Sequence, residues 1–406
     1  MTDTDSLFYN PLEPGYIENP YPHLAEMREH DPVHLTLVSQ WVLFRYDDTF
    51  RLLRDPALRV SDKNIEVHDA DRLAAFEAAV GEDARDSTGM LGVDPPDHTR
   101  LRRLVSKAFT PSAIEALRPR VQELVDTALD QIADRGSGDV VADLAFPLPF
   151  DVISEMLGMP ESDKQQVAQW SSAVVKTLDP MITDEEIRAA VEAERLMEAH
   201  VAEVIEWKRA NPADDLLTAL IAAEEDGDTL SAIELGDQVT LLFIAGHETT
   251  VNLIGTGIYE LLRHPEQLAL LRDDPSLDVG AIDELLRYVS PVQFSRRITL
   301  EDIEFGGKVI PKGMFVLAGL AAANHDPEKW GPTADELDLR REGAGQHLSF
   351  GSGAHYCLGA SLAKLEAQLA IGSFVRRFPD ARIVGEPVWN GRINLRGLEH
   401  LEVAVC

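Results

Sequence analysis

The sequence predicts a mainly α chain with small β-sheets near both ends, and three observations carry that prediction. Apolar residues recur at helical spacing through most of the 406 residues. One helical stretch, residues 231–263, runs far beyond ordinary helix length. Period-two alternation is confined to three patches, at 33–45, 292–320 and from 381 to the end. No linker-like stretch divides the chain, so one domain spanning 1–406 is expected.

Taken in order, the segment up to Asn19 reads as loop and 22–29 as a short helix. Val33, Leu35 and Leu37, then Trp41 and Leu43, alternate as a small hairpin. Helical patterns follow, punctuated by Asp94-Pro95-Pro96, Pro111, Pro147, Pro149, Pro160, Pro180 and Pro212. Ser231-Ala232-Ile233-Glu234 is a capping box, and His264-Pro265 ends the helix it starts. That helix is about 33 residues, or about 50 Å at 1.5 Å per residue. Its centre, 239–246, is apolar all round, so it should cross the interior. Gly306-Gly307 suits a turn in the second strand patch. Leu358, Leu362, Leu365 and Leu369 share one face of a last long helix.

Charge is lopsided, with 37 Lys+Arg against 70 Asp+Glu and a net −33. Such acidity argues against nucleic acid and anionic membrane as partners. Only two cysteines occur, Cys357 and Cys406, which excludes a disulfide framework and fits a reducing compartment. The first 20 residues lack a leader pattern, and no run approaches the ~20 apolar residues of a membrane span. A cytoplasmic protein is expected.

The chemistry concentrates in three places. Phe350-Gly351-Ser352-Gly353-Ala354-His355-Tyr356-Cys357-Leu358-Gly359 puts one cysteine in a glycine-rich loop just before a helix. A thiol there faces the helix dipole and should tend towards thiolate. The glycines let a flat ligand approach the backbone. A zinc site would want further Cys or His ligands at close spacing, and a lone buried cysteine would not need such a loop. On the long helix, Ala245-Gly246-His247-Glu248-Thr249-Thr250 interrupts the apolar centre. Thr249 can bond back to the Ala245 carbonyl, while Ala245 and Gly246 leave a dent. Taken alone, this is also what a helix with a satisfied threonine and an outward glutamate would show. Third, Asp94-Pro95-Pro96-Asp97 leads into a helix, with Asp97 as its expected N-cap and with His98 and Arg102 on one face.

These motifs resemble those of the cytochrome P450 family. F-x-x-G-x-H-x-C-x-G is similar to its haem-ligand signature, A-G-x-E-T-T to its oxygen-activation motif, and D-P-P-x-H-x-x-x-R to its propionate-binding stretch. Glu284-Leu285-Leu286-Arg287 matches its E-x-x-R pair. The motifs fall in the family's order from about Tyr16 to the end. The resemblance implies the P450 fold, an α-rich triangular prism with haem b between the long helix and the cysteine loop.

It implies Cys357 as the iron ligand, framed by Phe350, Gly351, His355 and Gly359. Ala245 and Gly246 would face the haem, and His98, Arg102, Arg297 and His355 would hold its propionates. Arg296 stands beside Arg297, so the register there is open. Glu248 and Thr249 would supply protons for activation of O2. Electrons would come from NAD(P)H through a separate ferredoxin or flavodoxin docked on the proximal face, where Arg100, Arg103, Lys107 and Lys364 form a basic patch. The implied activity is a monooxygenase inserting one oxygen atom into a lipophilic small molecule. The alternatives are oxidative coupling or other non-insertion chemistry, and a haem sensor without turnover. Family topology places Met90, Leu91, residues 170–190, Leu242, Ala245, Val292, Phe294 and Leu398 at the substrate pocket, with Pro180 and Met181 in its access lid. One departure stands out: where relatives carry Arg in an R-F-D stretch, this chain has Glu336, so the third member of the E-x-x-R network is left open.

Overall fold

The computed structural model describes residues 8–66, 88–106, 109–160, 164–179, 182–222, 224–225 and 228–405. Lys107, Pro180, Met181 and Cys406 lie outside them. The helix Ala232–Arg263, 32 residues long, is the axis of the molecule. Its capping box is made as the sequence implies: the Glu234 N–H donates to Ser231 Oγ at 3.2 Å, and the Ser231 N–H donates to Glu234 Oε2 at 2.8 Å. Leu253, Ile254, Ile258 and Leu261 are buried on its second half, in a core shared with the helices Arg118–Arg135, Asp278–Val289 and Ala360–Arg377. Leu235, Val239, Leu242 and Phe243 are buried on its first half. They pack against the helices Pro147–Leu157, Lys164–Val175 and Asp184–Ala210.

The strand patches fall where alternation placed them, but they pair across the chain. The hairpin Val33–Leu35 with Trp41–Leu43 has Val33 opposite Leu43. Trp41–Leu43 then runs parallel to Phe315–Gly319, which is antiparallel to Phe294–Thr299, itself paired to Leu58–Arg59. The first and second patches are therefore one five-stranded sheet. The last patch recruits Ser137–Asp139 beside Glu402–Ala404. No helix among the described residues is long and apolar enough to cross a membrane.

A buried ionic knot fixes the approach to the cysteine loop. Arg287 and Glu284, both fully buried, form a bidentate pair at 2.8 and 2.8 Å. Arg287 also donates to the carbonyls of Asn324, Ala334 and Glu336 at 2.7, 2.7 and 2.9 Å. The third charge left open at Glu336 is present. Arg341 supplies the third charge, its Nε donating to Glu284 Oε1 at 3.1 Å, while Glu336 contributes only its carbonyl. Asn324 carries the knot onward, donating to Ser349 Oγ at 2.9 Å and accepting from the Leu348 N–H at 2.7 Å. Phe350 follows directly.

Candidate active site

The cysteine loop is anchored at both ends. The Cys357 N–H donates to the Phe350 carbonyl at 2.9 Å, closing the loop into a ring. Gly353, at φ +73, lies against the helix Tyr46–Arg54: a Cβ there would sit 2.6 Å from the Leu53 carbonyl oxygen. No other residue fits that contact. The helix itself begins at Ala360, so Cys357 stands just before it.

Burial pushes the Cys357 thiol up, while the Gly359 N–H and Arg102 oppose this. The loop places a sulfur; a Lewis-acidic partner would have to draw the proton off it.

Across the gap, the long helix presents Ala245, exposed in a stretch whose neighbours Leu242, Phe243 and Ile244 are buried. Thr249 Oγ1 donates to the Ala245 carbonyl at 3.0 Å, as the spacing required. Gly246 is placed differently from the expected dent. A Cβ on it would meet Ile153 at 3.1 Å, so its bare side lets the helix Pro147–Leu157 come close. Glu248 is not solvated. Ser171 Oγ donates to its Oε1 at 3.2 Å and Arg392 Nη1 to its Oε2 at 2.7 Å. His247, fully buried, donates through Nδ1 to the Phe243 carbonyl at 2.8 Å. Arg392 carried no spacing signal in the sequence.

At the loop's flank, His98, Arg102, Arg297 and His355 converge. The rings of His98 and His355 lie 4.0 Å apart, and Arg102 donates to the Tyr356 carbonyl at 2.7 Å. Asp97 is the first residue of the helix Asp97–Ser106 that carries His98 and Arg102, inside it and not before it. Strand alternation settles the adjacent arginines: Arg296 points to solvent and pairs with Asp62 at 3.0 Å, while Arg297 is buried. Burial, with Asp94 opposing it, lowers Arg297 to about 10. Burial and the neighbouring His98, Arg297 and Arg102 hold His355 down at about 3. Burial likewise lowers His98, whose Nε2 is buried with no hydrogen-bond partner. Among the described residues no carboxylate bonds to any of the four. The two guanidiniums carry the charge, burial keeps the two imidazoles from adding to it, and the cluster is short of an anion.

Of the expected pocket, Met90, Leu242 and Val292 gather in one apolar cluster, with Ala245 adjoining on the same helix, and Leu91 is exposed. Phe294 and Leu398 do not join it. Phe294 packs with Tyr9 and Phe44 under the N-terminal segment, and Leu398 sits in the core beneath the last helix. Leu395, three residues before Leu398, reaches the cluster instead. The basic patch is also corrected. Arg100 bonds to Glu234 at the start of the long helix, and Lys364 pairs with Asp283 at 2.5 Å.

The family model "Cytochrome P450" matches residues 63–274 and 279–381. Cytochrome P450 107B1 of Saccharopolyspora erythraea is 42% identical over 97% of this chain and 96% of its own length. The 6-deoxyerythronolide B hydroxylase of the same organism is 39% identical over 94% of each chain. The solved structure of epothilone B-bound cytochrome P450epoK superposes with a TM-score of 0.89 at 34% identity, covering 98% of this chain and 99% of that one.

The chain belongs to the cytochrome P450 family. It is an oxidoreductase of the monooxygenase kind, with the P450 fold, and membership implies haem, O2 and reductant delivered by partner proteins. The residues present fit a haem. The sulfur lies in a loop opened by glycines, and the orphaned His98 Nε2 with Arg102, Arg297 and His355 is a cradle for two carboxylates.

Proposed function

We propose that this P450 inserts one oxygen atom from O2 into a lipophilic small molecule, with haem b as the cofactor. The observation that supports the reading best is the convergence of His98, Arg102, Arg297 and His355 beside the Cys357 loop, with His98 Nε2 buried and unpartnered. Cys357 would ligate the iron through its sulfur, and His98, Arg102, Arg297 and His355 would hold the propionates, which in turn would return positive charge to the two imidazoles. Bound haem supplies reductive oxygen chemistry, with thiolate ligation favouring O–O cleavage.

The chain's own tasks are narrower. Thr249 donates its hydroxyl proton to the Ala245 carbonyl, which leaves the Oγ1 lone pairs to accept from a proton donor in the site. Glu248, one residue earlier, is the carboxyl that would relay protons from solvent. Met90, Leu242, Val292 and Leu395 exclude water and bind apolar surface. An apolar wall suits a lipophilic substrate. One relative is named for hydroxylating 6-deoxyerythronolide B, and one neighbour was solved with epothilone B.

Reductant would arrive on the proximal face, in the cytoplasm. A groove of about 260 Å³ lies there between the last helix and the helix Asp278–Val289. Ile114, Val279 and Leu365 line it, with Arg118, paired to Glu115, and Lys364, paired to Asp283, beside them. That mixed, ion-paired surface would suit a ferredoxin or flavodoxin.

Replacing Thr249 by Ala tests the reading. Product per NAD(P)H should fall while peroxide rises. Unchanged coupling would remove Thr249 from the proton path.

A further inference from the structure

Glu248 sits where three elements meet, and the third of them is the turn between the strands Val388–Trp389 and Leu398–His400. Arg392 in that turn reaches the long helix and the helix Lys164–Val175 at once. Its Nη1 donates to Glu248 Oε2 at 2.7 Å and its Nη2 to Ser172 Oγ at 2.5 Å. Ser171, next to Ser172, donates to the other Glu248 oxygen at 3.2 Å. Both carboxylate oxygens are therefore occupied, one by a charge-assisted bond. Arg392 and Glu248 are 11% and 13% exposed, so water does not replace these partners cheaply.

The turn is also tied to the segment that follows the helix Lys164–Val175, residues 176–179. Asp179 Oδ1 accepts from the Asn394 N–H at 2.7 Å, and Asn394 Nδ2 donates to the Leu178 carbonyl at 3.1 Å. Lys176, paired with Asp179 at 2.9 Å, reaches the Gly391 carbonyl at 3.4 Å. The helix Lys164–Val175 also roofs the apolar pocket cluster through Val167 and Val175. The other titratable group facing Glu248 is His247, whose Nε2 lies 3.7 Å from Oε1. Burial lowers His247, and it is caged by Phe146, Phe150 and Phe243. It is therefore a neutral neighbour that cannot substitute for the Arg392 charge.

We propose that Arg392 is a positioning residue for Glu248, and that Ser171 and Ser172 tie its hold to the helix over the pocket, so that proton supply is matched to closure of that helix. The inference rests on Glu248 being the proton donor. With both oxygens clamped, the carboxylate keeps one orientation beside Thr249. Displacing the helix parts both serines from the pair and leaves the acid with one partner. Glu248 and Arg392 then act as one unit, and neither should matter much without the other.

The test uses the holoenzyme with a surrogate ferredoxin and its reductase, following NAD(P)H oxidation without added substrate, in H2O and in D2O. The variants are R392Q, R392K, E248Q and the double R392Q/E248Q. Carbon monoxide trapping gives the rate of the first reduction separately. The proposal expects R392Q to lower steady-state turnover about tenfold and to enlarge the solvent isotope effect, with the first reduction unchanged. R392K should recover most of the loss, and the double variant should match E248Q alone in rate. Melting temperatures should show the same non-additivity, and amide exchange in residues 164–178 should quicken in R392Q. If E248Q slows turnover but R392Q lowers only the melting temperature, Arg392 is structural and the proposal is overturned while the proton-donor reading stands. If E248Q itself changes neither rate nor isotope effect, the reading of Glu248 falls and the proposal with it.

Discussion

Replacing Glu284 by Gln breaks the buried ionic knot while keeping its shape. Glu284 accepts from Arg287 twice at 2.8 Å, from Arg341 at 3.1 Å and from the Asp338 N–H at 3.0 Å. The amide keeps one acceptor oxygen, loses the charge, and turns a donor towards two guanidiniums. Arg287 is fully buried, so it is left as an uncompensated charge. Breaking such a pair costs about 4 kcal/mol. Over 406 residues, at about 2.1 cal/mol/K each, the unfolding entropy is about 0.85 kcal/mol/K, and the midpoint should fall about 5 °C. The cost should also appear at the cysteine loop, because Asn324 links the knot to Leu348 and Ser349. Purified E284Q should therefore carry less haem per chain than the parent. Thermal unfolding and the ratio of Soret to protein absorbance measure the two effects. A midpoint within about 1 °C of the parent, with full haem content, would refute the reasoning.

Three further outcomes follow from the same geometry. Replacing Arg341 by Met should cost about 2 kcal/mol, less than loss of Glu284, because the bidentate Arg287 pair survives; urea unfolding measures it. Charge reversal at Arg118, which lines the proximal groove, should slow the first electron transfer and change its salt dependence in stopped-flow; an unchanged rate would place the partner elsewhere. Glu366, on the last helix, is buried with its Oε2 unpartnered, and burial raises its carboxyl far above the usual range. A carboxyl raised in the folded state favours folding below the unfolded pKa and loses that contribution as pH rises towards the folded value. E366Q should therefore flatten the decline in melting temperature between about pH 5 and neutrality, where one such group contributes up to about 1.36 kcal/mol per pH unit. A parallel shift at all pH values would show that Glu366 does not titrate with unfolding.

Local signals in the sequence carried far, and non-local ones did not. The long helix was legible because its capping box and its His264-Pro265 stop are contiguous patterns. The hairpin at 33–43 was legible for the same reason, but its pairing with Phe315–Gly319 depends on contacts nearly 280 residues apart, which no window shows. Phe294 and Leu398 are buried in other clusters, which no local pattern shows. Strand parity does separate Arg297 from Arg296. Arg341 lies outside the R-F-D pattern, which falls on position 336. The chain folds back after Glu336 and delivers the charge from five residues further on. Arg392 sits in a turn with no periodicity, and only the fold brings it to Glu248.

The central claim is that the Cys357 sulfur is the iron ligand of a haem held in this cleft. The direct measurement is the absorption spectrum of the purified, dithionite-reduced holoenzyme under carbon monoxide, beside that of Cys357→His. The account predicts for the parent the red-shifted Soret band from which the family takes its number, and predicts its absence in the variant. A parent band at the position of an imidazole-ligated haem, or a red-shifted band that survives loss of Cys357, would contradict it.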